Sequence, residues 1–79
     1  MIRYLLKERI AEKEFREKRR ITLDEVARET GISRNTLSRI ANTFGYNTTT
    51  EVLDRLCSYF ECPISSIIEH IDDDEHGAV

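Results

Sequence analysis

Hydrophobic positions recur along this chain every three or four residues, the spacing of helices that bury one face. Ile2, Leu6 and Ile10, with Leu5 beside them, form a first stripe and predict a helix from near Ile2. Phe15 lies four residues after Ala11, on another face. This helix therefore either bends near Lys13 or offers two faces to two partners. Arg16, Lys18, Arg19 and Arg20 gather at its end, where cations suit the helix dipole. A second helix is predicted from Thr22, because Thr22 and Glu25 have the spacing of a capping box. Leu23, Val26 and Ala27 face inward, and Gly31 stops the helix by taking the left-handed conformation without penalty. Ser33 is a good N-cap for a third helix that buries Leu37, Ile40 and Ala41. A polar loop from Asn42 to Thr49 follows. Thr48 and Glu51 fit a capping box for a fourth helix, with Val52, Leu53, Leu56, Cys57 and Phe60 inside. Pro63 breaks the chain, and Ile64, Ile67, Ile68 and Ile71 predict a short fifth helix. No long alternation of apolar and polar residues predicts a strand. The reading is an all-α domain over residues 1–71 and a solvated acidic tail over residues 72–79.

The segment from Leu23 to Ile40 runs helix, glycine turn, helix. Two helices joined by so short a turn meet steeply, so the residue at the crossing must be small, and Ala27 is. Val26, Ile32, Leu37 and Ile40 fill the wedge. An ordinary helical hairpin does not need the glycine and the small residue together at these spacings. The pattern is that of a DNA-binding helix-turn-helix, with residues 33–41 as the recognition helix.

At these residues the chain resembles the Cro/C1-type (Xre-type) helix-turn-helix regulators. The resemblance rests on TLDEVARETGISRNTLSRIAN, on Asn47-Thr-Thr-Thr and on LDRLCSYFECPISSIIEHI, and with MIRYLLKERIAEK it spans about residues 1–71. It implies a five-helix, lambda-repressor-like domain that binds double-stranded DNA sequence-specifically and regulates transcription, as a repressor. Residues 14–20 make the link between the first two helices longer than is common in that family. The resemblance places the third helix in the major groove, with Ser33, Arg34, Asn35 and Arg39, and Ser38 beside them, at base edges. Arg grips guanine and Asn grips adenine through paired hydrogen bonds. Phosphate contacts fall to Thr22, Thr36, Asn42 and Thr43, with Tyr46 and Asn47 in the following loop. Lys18, Arg19 and Arg20 are either a non-specific phosphate clamp or a solvated helix end.

Charge first argues against a nucleic-acid partner, since the 79 residues carry a net -3. The distribution reverses that. Residues 1–47 hold eleven Lys/Arg against seven Asp/Glu, whereas residues 48–79 hold one, Arg55, against eight. DNA responds to the local field of the basic half. A two-fold homodimer is expected, because one recognition helix reads few base pairs. Ile2, Leu5, Ile68 and Ile71 are its expected surface.

Other functions find less support. Cys57, Cys62, His70 and His76 lack the close cysteine pairing of structural zinc, so no metal or other cofactor is expected. No Gly-rich phosphate loop and no nucleophile–base pair points to an enzyme or a small-molecule ligand. Asp24 and Glu25 read as first-turn charges that favour the helix dipole. A protein-interaction module, such as an antitoxin or a regulatory partner, is the alternative, with the acid run Asp72–Glu75 and the spare apolar side of the first helix as its features. No signal peptide and no membrane-length apolar run appears, so the cytoplasm is the expected compartment, with both cysteines reduced.

Overall fold

The computed structural model describes residues 1–72. Strand β1 (Ile2–Tyr4) leads into helix α1 (Leu6–Glu17), followed by α2 (Leu23–Thr30), α3 (Arg34–Asn42) and α4 (Thr50–Phe60). A single 3-10 turn, Ile64–Ser66, then leads into strand β2 (Ile68–His70). The expected acidic tail lies outside the described residues from residue 73 onward.

Both ends of the chain differ from expectation. The fold is mostly helical rather than all-α, and the fifth helix is absent. In its place β2 pairs antiparallel with β1, with Arg3 opposite Glu69 and Tyr4 opposite Ile68. Backbone bonds extend the ladder: Leu5 N–H donates to Ile67 O at 2.7 Å and Ile71 N–H to Met1 O at 2.8 Å. The cause is visible in the residues. Four β-branched isoleucines in eight positions after a proline make a poor helix nucleus. The same isoleucines suit a strand once a partner strand is present. Ile2 therefore belongs to β1, and the first helix begins only at Leu6.

Helix α1 runs unbroken past Lys13 to Glu17. Phe15 is 86% exposed and gives the helix no second buried face. The link that follows is ordered by polar contacts. Lys18 takes the left-handed conformation at φ 56°, and Glu14 Oε2 accepts the Ile21 N–H at 2.8 Å. Ile21 itself is buried.

The core consists of Leu6, Ile21, Val26, Ile32, Leu37, Ile40, Leu53, Leu56, Phe60 and Ile67, so every helix and both loops beside α2 contribute. Thr49, one residue later than expected, caps α4 by accepting the Val52 N–H at 3.2 Å. Cys57 is half-buried, and burial pushes its thiol above the ordinary cysteine range. Leu56→Ala should lower the unfolding free energy by about 2–5 kcal/mol, as emptying a fully buried leucine site does. Phe15→Ala should leave it within about 0.5 kcal/mol. Denaturant titration of the two variants checks both values.

Candidate nucleic-acid interface

Two caps and one turn position the outer helix. Thr22 Oγ1 accepts the Glu25 N–H at 3.1 Å and starts α2. The reciprocal half of the expected capping box is not formed. Glu25 instead takes both terminal nitrogens of Arg19, at 2.9 and 2.7 Å, which locks the end of the α1–α2 link onto α2. Those hydrogen bonds hold the Glu25 carboxyl below its ordinary range. Ser33 Oγ accepts the Thr36 N–H at 3.1 Å and starts α3.

Between them Gly31 sits at φ 76° and its N–H donates to Ala27 O at 2.9 Å, closing α2. Ile32 is buried directly after it. Arg55, from α4, reaches across to this turn. Its Nη1 donates to Thr30 O at 3.2 Å while its Nη2 donates to Glu51 at 2.9 Å. A carbonyl left over at a helix end is thus satisfied by a cation, which also suits the dipole there.

Leu37 and Ile40 turn α3 inward, and Asn35, Arg39 and Asn42 lie exposed on its opposite side with Ser38 half-buried among them. Asn42 Nδ2 donates to Ser38 O at 3.0 Å, so these two expected residues share one patch. Arg34 lies toward the α2 edge of that face, where its Nε is 2.7 Å from Asp24 Oδ1. The other expected residues spread out. Thr36 is half-buried on the opposite edge, beside Gly31 and Arg55. Ser33 Oγ donates to Thr36 Oγ1 at 2.8 Å as well as capping, so its hydroxyl is already engaged. Thr43 ends α3, and its N–H donates to Arg39 O. Asn47 is exposed, whereas Tyr46 packs partly against the core.

Sequence reasoning missed three features here. Arg3 and Lys7 line a shallow cleft with Asn42, Thr43 and Phe44, so the N-terminal segment brings cations alongside the end of α3. Only the strand pairing reveals that placement. The Arg34–Asp24 pair and the reach of Arg55 were likewise hidden, although Arg55 stood out as the lone cation after residue 47. Cys57, Cys62 and His70 join no group of three metal-capable side chains among the described residues, and His76 lies outside them. No described helix is long and apolar enough to cross a membrane.

The sequence pattern of the Cro/C1-type HTH DNA-binding domain matches residues 13–73. The chain belongs to that family. As a Cro/C1-type domain it is a DNA-binding module of transcription regulators, and DNA is its partner. The match starts inside α1, so β1 and the first turns of α1 lie outside it. Neither a curated protein nor a solved structure matches the chain.

Gly31→Ala tests the turn. An alanine at this φ is strained, and its Cβ would stand 2.8 Å from Arg55 Nη1. The expected loss of unfolding free energy is about 1–2 kcal/mol for the backbone alone. The loss should shrink in an Arg55→Ala background, where nothing crowds the new methyl. An identical loss in both backgrounds, read by thermal denaturation, would show that Arg55 does not press on the turn.

Proposed function

We propose that this Cro/C1-type domain reads duplex DNA by setting the exposed face of α3 in the major groove. The observation that carries the reading is the joint exposure of Arg34, Asn35, Arg39 and Asn42, with Ser38 half-buried among them, on a helix whose other side is held by Leu37 and Ile40. Arg34, Asn35 and Arg39 contact base edges, with Ser38 beside them. Ser33 serves mainly as the cap. Phosphates are taken by the α2 start at Thr22 and by Asn42, Thr43 and Asn47, with Lys7 added from α1. Thr36 and Tyr46 contribute less, being half-buried. The working unit is residues 1–71. Bound over a promoter, a domain of this size acts by occlusion, and its output is repression. The two free cysteines suit a reducing compartment, and the cytoplasm fits both them and access to DNA.

The domain works as a two-fold dimer, since paired recognition helices read half-sites about one helical turn apart. The expected apolar residues fall around the small sheet rather than on two helices. Ile2 is exposed on β1, and Ile68 and Ile71 are half-buried on the β2 side.

Selection of bound sequences from a random duplex library tests the reading, followed by affinity measurements at two salt concentrations. A palindromic site should emerge, and affinity should fall steeply with salt because phosphate contacts release counterions. Arg34→Ala and Asn35→Ala should each cost about 1–3 kcal/mol of discrimination at one base pair, and Lys7→Ala should weaken all duplexes alike. Absence of any binding at low salt would sink the reading and leave the protein-interaction module in its place. A light-scattering mass equal to one chain, on the protein alone and on its DNA complex, would remove the dimer.

A further inference from the structure

The contact between Arg34 and Asp24 has no evident part in holding the fold. Their side chains are 61% and 73% exposed, and the separation is 2.7 Å. Such surface pairs contribute at most about 1 kcal/mol of stability. The location is also costly for a DNA-binding protein. Asp24 sits in the first turn of α2, beside the first residue of α3, so its charge opposes the approach of phosphate to Arg34. A carboxylate there weakens general attraction to DNA.

The geometry of the guanidinium suggests what is gained. Its closest approach to Asp24 is at Nε, on the inner side of the group. Among the described residues no hydrogen bond engages Nη1 or Nη2, which form the outer edge of a side chain that is mostly exposed. That edge is the one able to meet both acceptors of a guanine in the major groove. Arginine has many rotamers, and holding it in one geometry before binding removes an ordering cost at the moment of contact. A free arginine at this place would also find the nearest phosphate whatever the sequence.

We propose that Asp24 is a specificity-determining positioning residue: it buttresses Arg34 through Nε so that its outer edge faces a base pair, and it repels the backbone that would otherwise capture it. This inference rests on the assignment of Arg34 to a base edge.

Four duplexes that differ only at the base pair whose preference disappears in Arg34→Ala provide the test. Asp24→Ala should reduce the preference at that pair by about two- to fivefold, the range of an exposed ion pair. Preferences at other positions should stand, and affinity for random duplex should rise. Asp24→Asn, which keeps an acceptor of the same shape, should retain part of the preference. In the Arg34→Ala background neither change at Asp24 should alter base preference. If Asp24→Ala and Asp24→Asn scale all four duplexes by one common factor, Asp24 acts only through charge or helix stability and the proposal is overturned. If Arg34→Ala alters no position at all, the assignment of Arg34 fails first, and the buttress falls with it.

Discussion

Left-handed backbone at Gly31 lets α2 end and α3 begin within a few residues, and the rest of the molecule is arranged to hold that angle. Ile32 is buried directly after the glycine, and Val26, Leu37 and Ile40 are buried on the two helices it joins. Helix α4 braces the turn from outside through Arg55 and Thr30 O. Leu53, Leu56 and Phe60 of α4 enter the same core as Leu6 and Ile67 from the two ends of the chain. In a domain this small the core is thin, so few residues are left over to fix the crossing if the turn relaxes. The direction of α3 is set by the turn beneath it together with its own buried residues, Leu37 and Ile40.

What could be read from the sequence was what is local. Thr22 and Ser33 cap the helices they were expected to cap, because a cap depends on residues three apart. The buried sides of α2, α3 and α4 follow from spacings of three and four. The ends of the chain could not be read this way. Ile2 and His70 are paired across almost the whole sequence, and each strand is three residues long. Periodicity has nothing to measure over so short a run, and isoleucines spaced for a helix serve equally in a strand. The exposed face of α3 was legible because its inner side was. The neighbours that modify it, Asp24 beside Arg34 and Lys7 beside Asn42, depend on how separate elements dock.

Electrostatics follows the same division. Residues 1–47 carry the basic surplus, but much of that charge is paired with carboxylates of the same chain. Arg19 is held by Glu25 and Glu17, and Arg3 by Glu8 and Glu69. These pairs lock the α1–α2 link and the strand pairing in place. Arg39 and Lys7 remain exposed near the end of α3. The field that DNA meets is therefore more confined than the residue count implies.

The most direct test of the α3 assignment is a map of backbone amide shifts by NMR as a selected duplex is added to the whole chain. The largest changes should fall on residues 33–43 and on the start of α2 at residues 22–25, with smaller ones at Lys7 and Asn47. Changes centred instead on Phe15, Ile64 and the outer side of α1, with residues 33–43 unmoved, would contradict it.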